Sequence, residues 1–124
     1  MDNQELNALL KASTKDKYKY FIKKVVDYEE VWGLYSNGWT TTQDENGNIM
    51  IPFWPKKEFA EYFATGEWEG NIPVNIELDD FMEEWLPNMK KDNIKPAIFW
   101  TNSNSIDREI TILMEDIQEE LENY

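Results

Sequence analysis

The sequence predicts an α+β fold, with an antiparallel sheet of three to four strands packed against several α-helices. Three observations carry this. Residues 31–53 alternate β-branched and aromatic runs with two turn signals. Apolar residues recur at helical spacing on both sides of that stretch. Ala97-Ile98-Phe99-Trp100 is a near-continuous apolar run between Pro96 and the polar Thr101-Asn102-Ser103-Asn104, as a buried strand would be.

The elements follow in order. Residues 2–12 read as a short helix with Leu6, Leu9 and Leu10 on one stripe. Ser13 and Thr14 offer a cap for a second helix, because a hydroxyl there can accept an otherwise unpaired N–H. Its apolar positions are Tyr18, Phe21, Ile22, Val25 and Val26. Lys15, Lys17, Lys19, Lys23 and Lys24 form the one basic cluster, read as a solvated helix face. The pattern changes at Glu30. Val31 to Tyr35 is strand-like, and Asn37-Gly38 favours the positive φ of a tight hairpin turn. Trp39 to Thr42 is the expected return strand, Asp44 to Asn48 a second turn, and Ile49 to Ile51 a third strand. Residues 31–53 are therefore expected to form a three-stranded antiparallel meander, joined by strand 97–100.

Pro55 sits where a helix can start, Phe59, Tyr62 and Phe63 mark its buried side, and Gly66 is its expected stop. Residues 67–75 look irregular, and Ile76 and Leu78 suggest a short extended piece. Asp79 is expected to cap a helix carrying Phe81, Met82, Trp85, Leu86 and Met89, which Pro87 should kink or shorten. Ile106, Ile110, Leu113, Ile117 and Leu121 make a final helical stripe, although Ile110-Thr111-Ile112 could begin it as extended chain. The 124 residues are read as a single domain, with 1–13 as a helix that can sit loosely on it.

Composition excludes several functions. The chain has no cysteine and no histidine, so disulfides, thiolate chemistry and histidine-based nucleophile systems cannot be built from it. No catalytic residue set, metal site or cofactor is expected. No apolar stretch approaches the roughly 20 residues of a membrane span. The polar N-terminus lacks the features of a signal peptide, so a cytoplasmic location is expected. The net charge is −13, split as −2 over residues 1–62 and −11 over residues 63–124. Nucleic acid and anionic membranes should be repelled, and a basic protein partner attracted.

Two constellations invite chemistry. Asp44 to Asn48 resembles the start of a calcium loop, but the sixth position is Ile49 rather than Gly and the twelfth is Pro55 rather than an acid. A hairpin turn is the better reading. Asp79, Asp80, Glu83 and Glu84 place two carboxylate pairs at i, i+4. Paired acids serve glycoside hydrolysis or magnesium binding, but acids in a first helical turn also complement the helix dipole. The six tryptophans are hard to bury in a chain this short. Phe53-Trp54-Pro55 and Glu67-Trp68-Glu69 are the candidate exposed apolar regions. The competing reading is that all six cover the sheet as core.

Several blocks occur together in order: Val31-Trp32-Gly33-Leu34, Asn37-Gly38-Trp39, Pro52-Phe53-Trp54-Pro55, Gly66-Glu67-Trp68, and Phe81 through Trp85-Leu86-Pro87. Together they resemble the bacterial family catalogued as domain of unknown function 2750, over roughly residues 15–122. The resemblance implies a small stand-alone α+β protein and no catalytic residue set.

Three functions are weighed. The first is a protein-binding module of immunity or antitoxin type, using Trp54, Trp68, Asp79, Asp80, Glu83, Glu84 and Trp85 against a basic partner. The second is a small-molecule-binding or enzymatic domain with a pocket lined by Trp54, Trp68 and Trp100, and Lys56, Tyr62 and Asp80 as its polar groups. The third is an acidic DNA mimic.

Overall fold

The computed structural model describes residues 3–101 and 104–124, apart from the Asn3 side chain. The Asp2 end of the expected first helix, and Asn102-Ser103 within the polar boundary expected after Trp100, lie outside the described residues. The chain is α+β. Its helices are α1 (Asn3–Leu10), α2 (Thr14–Tyr28), α3 (Lys57–Phe63), α4 (Leu78–Asp80), α5 (Leu86–Lys91) and α6 (Ile110–Glu122). Its strands are β1 (Glu30–Tyr35), β2 (Thr42–Gln43), β3 (Ile49–Phe53), β4 (Ile72–Glu77), β5 (Lys95–Thr101) and β6 (Asn104–Asp107).

α2 starts where its sequence asks it to, since Ser13 Oγ accepts the Asp16 N–H at 3.1 Å. It buries Phe21, Ile22, Val25 and Val26. It ends on Glu29, whose left-handed backbone (φ 55°) releases the chain into β1. α1 is tied on from above. Leu6 is buried, and Glu5 Oε1 accepts from Tyr20 Oη at 2.7 Å and Lys56 Nζ at 3.1 Å. The Tyr20 hydrogen bond, helped by Lys56, lowers the Glu5 pKa. Burial and the Glu5 carboxylate push Tyr20 up to about 12.

Both turn signals in residues 31–53 form turns. Asn37 has φ 58°, and Thr40 N–H donates to Leu34 O at 2.8 Å. Asp44 Oδ1 accepts from the N–H groups of Asn46 and Asn48 at 2.9 and 2.8 Å. The meander itself does not form. Past its Tyr35–Trp39 bridge, β1 leaves the returning chain and pairs antiparallel with β4, from Glu30 opposite Glu77 to Tyr35 opposite Ile72. Thr40-Thr41-Thr42 has no large apolar side chain to cover β1, whose Val31, Gly33 and Leu34 are buried. β4 brings Ile76, and the end of β3 takes the other edge. There Trp32 N–H donates to Trp54 O at 2.9 Å, and Trp54 N–H to Trp32 O at 2.8 Å.

The four-stranded sheet runs β2-β3-β5-β6. Strand 97–100 joins it as expected, within β5, but it runs parallel to β3 rather than antiparallel. Residues 67–75 are more ordered than their composition suggests, with a 3-10 turn at Gly66–Trp68 and then β4. Ile106 is a strand residue opposite Ile98, so the helical stripe starts at Ile110. A residue at this spacing can satisfy either period, and the cross-strand partner decides it.

Pro87 is handled by a change of helix type. Residues Phe81–Trp85 form a π turn in which Leu86 N–H bonds Phe81 O, five residues back. Pro87 then sits at the start of α5, where a missing N–H costs little. The helix begins at Leu78, one residue before the expected Asp79 cap, because Leu78 is buried and its N–H donates to Glu29 O at 2.9 Å. The core lies between α2, α3, the π turn and α6 and the two sheets, around Phe21, Phe53, Trp54, Phe59, Phe81, Ile98, Phe99, Leu113 and Ile117.

Candidate functional site

The helical stretch from Leu78 to Trp85 divides its side chains sharply. Leu78 and Phe81 are buried and Met82 and Trp85 are half-buried, so the apolar stripe faces the core. Asp79, Asp80, Glu83 and Glu84 are all exposed on the opposite side. Among the described residues none of the four makes an ion pair. The π turn carries Glu83, Glu84 and Trp85, and such turns are frequent where a helix re-aims side chains for function.

Trp85 links the core ring of Phe53, 6.0 Å away, to a row of rings that reaches the surface. Its ring packs edge-to-face with that of Trp39, centroids 4.8 Å apart, and Trp39 does the same with Tyr35 at 5.3 Å. Tyr35 stands opposite Ile72 across the β1–β4 pair. Tyr35 and Ile72 are 38% and 58% exposed, which makes an open apolar end to the row. Gly33 makes room for it, because a Cβ there would sit 3.1 Å from the Trp39 ring. Sequence reasoning named Trp85 but missed Tyr35, Trp39 and Ile72. Tyr35 and Trp39 meet across the expected hairpin turn, but Ile72 joins them only through the β1–β4 pairing, which the hairpin signals do not reveal.

The other named aromatics lie elsewhere. Phe53, Trp54 and Pro55 are all buried, which corrects the expectation of an exposed surface at this segment. Trp54 is fully buried, and its indole N–H donates to Trp100 O at 2.9 Å, so it offers a partner nothing. Trp68 is half-buried against Trp54 and Trp100, with ring centroids at 6.2 and 4.5 Å. None of the six tryptophans is exposed. In the proposed pocket the Trp68 ring thus packs against both Trp54 and Trp100, and Lys56 is engaged by Glu5.

Two further clusters show where polar groups are spent. Asp44 holds its turn with both oxygens, Oδ2 accepting from Asn48 Nδ2 at 2.9 Å and Lys95 Nζ at 3.4 Å. The Asn48 hydrogen bonds bring its pKa down to about 2. Between α2 and α6, Tyr18 Oη donates to Asp116 Oδ2, which also accepts from Arg108 Nη2 at 3.0 Å. The guanidinium lies 4.8 Å from the Tyr18 ring centroid. Burial, then the Asp116 carboxylate, raises the Tyr18 pKa, while the hydrogen bond to Asp116 raises that of Arg108.

Among the described residues no group of three or more carboxylates is placed to hold a metal ion, and no helix is long and apolar enough to cross a membrane. No curated protein matches the chain. A family model described as "Protein of unknown function (DUF2750)" matches residues 18–121, which takes in both sheets, the acidic helix face and the aromatic row beside it, and the chain belongs to that family.

Proposed function

We propose that this protein is a small protein-binding module of immunity or antitoxin type, working in the cytoplasm and recognising a basic partner. One observation carries the reading: an aromatic row, open at Tyr35 and Ile72, runs inward through Trp85, on the same helical stretch as four exposed carboxylates without ion-pair partners among the described residues. Interfaces draw most of their affinity from a few aromatic anchors, while surrounding charge sets encounter rate and specificity. The acidic bias of residues 63–124 would extend that attraction beyond the contact itself.

The test compares wild type with a variant carrying Asp79→Asn, Asp80→Asn, Glu83→Gln and Glu84→Gln. Both are used as bait in a lysate of the source cell at low and moderate salt. A basic protein should be retained by wild type at low salt and lost as salt rises. With the variant, its association should slow by about tenfold or more and lose much of its salt dependence. Equal retention by both baits, or no retained protein, would remove the acidic face as the interface.

A further inference from the structure

We propose that the groove between α2 and the open edge of β6 binds an extended peptide carrying acidic side chains at alternate positions. This groove is separate from the acidic face and encloses about 990 Å³. One wall is α2 from Thr14 to Lys23, and the other is β6 with Arg108 and the Asp116 to Glu120 part of α6. Tyr18 lies between them, covered by Arg108.

Charge and spacing select the ligand. Lys15, Lys19 and Lys23 line the α2 wall at i, i+4 and i+8, all exposed. Among the described residues none has an ion-pair partner, although the chain has 25 acids against 12 bases. Four helical residues rise about 6 Å. Two extended residues rise about 6.6 Å. A strand laid along α2 therefore brings every second side chain to a lysine. Asp116 is already occupied by Tyr18 and Arg108, but Asp107, Glu119 and Glu120 also line the groove. They disfavour a uniformly acidic ligand and favour one whose acids all face α2.

The backbone partner is the β6 edge. The β2 edge is only two residues long. In β4, Pro73 faces Leu34, whose carbonyl is turned away to Thr40, so the missing N–H of Pro73 lies on the open edge. β6 has no such block, and among the described strands it pairs only with β5. A peptide can add there by main-chain hydrogen bonds while α2 reads alternate side chains.

The probe is a short labelled peptide with glutamate at every second position and threonine between, followed by fluorescence anisotropy at low salt. It should bind at least about tenfold more tightly than an isomer with the same residues in two blocks. Lys15→Gln, Lys19→Gln and Lys23→Gln together should weaken binding about tenfold, with an unchanged thermal melt because all three are exposed. N-methylating one alternate set of peptide amides should abolish binding, and methylating the other set should not. No binding, equal affinity of the two isomers, or indifference to the lysine replacements would overturn the proposal. Indifference to both methylated sets would overturn strand addition. The variant neutralised at Asp79, Asp80, Glu83 and Glu84 should bind the peptide as wild type does, so this test stands apart from that of the acidic face.

Discussion

Asp44 shows how one side chain can set a turn. It accepts two backbone N–H groups and two side-chain donors, so its folded pKa of about 2 lies below the roughly 3.9 of an unfolded aspartate. A depressed carboxylate stabilises the fold above the unfolded value and loses that contribution as pH falls through the folded one. Asp44→Ala should therefore melt below wild type at neutral pH, and the gap should close between about pH 4 and pH 2. Parallel melts of the two proteins across that range check it. The sequence disclosed this turn because every contributor lies within five residues, except Lys95. Gly33 is different, since its need for space appears only once Trp39 is folded against it. Gly33→Ala puts a Cβ 3.1 Å from that ring and should cost about 1–2 kcal/mol. Urea denaturation measures the cost, and near-UV dichroism should report the displaced Trp39.

The elements differ in how far local chemistry decides them. α2 is largely local, with a cap, an apolar stripe and a release into β1 all written in consecutive residues. Ser13→Ala should destabilise the protein by about 1 kcal/mol, read from the urea midpoint at constant slope. The π turn is half local. Pro87 announces a break, but only the buried Phe81 and Leu86 on one continuous stripe explain why the helix widens and runs on rather than bending away. β1 was legible as a strand and its partner was not. An edge pairs with whatever apolar neighbour covers it best, and that neighbour, β4, lies about 40 residues on, behind Gly70 and with Pro73 inside it.

At the scale of the molecule, Trp54 joins the two sheets. Its backbone pairs with Trp32, its indole N–H reaches Trp100 O, and its ring packs with Phe63 and Trp68. Trp54→Phe removes that N–H and leaves space in a fully buried site, so a loss of about 2 kcal/mol or more is expected. Because both sheets meet at this residue, far-UV and near-UV signals should still fall together in urea. Separate transitions would show that the sheets are not cooperatively coupled. The same joint explains why the aromatic residues were hard to place in advance. Burial of an indole depends on what crosses above it, and here the crossing groups come from β5 and the 3-10 turn.

The sequence by itself determined the α+β class, both hairpin turns, the helical stripes of α2 and α6, and the strand at residues 97–100. These rest on periodicity and on turn chemistry within a few residues. It also placed Asp79, Asp80, Glu83 and Glu84 together, because i, i+4 carboxylates share a helix face wherever the helix sits. Only the tertiary structure decided that β1 pairs with β4, that Trp54 is core while Tyr35 and Ile72 are surface, and that three lysines line one groove with β6. Those outcomes depend on contacts between residues far apart in the chain, where many pairings satisfy the local pattern and burial of apolar surface chooses among them.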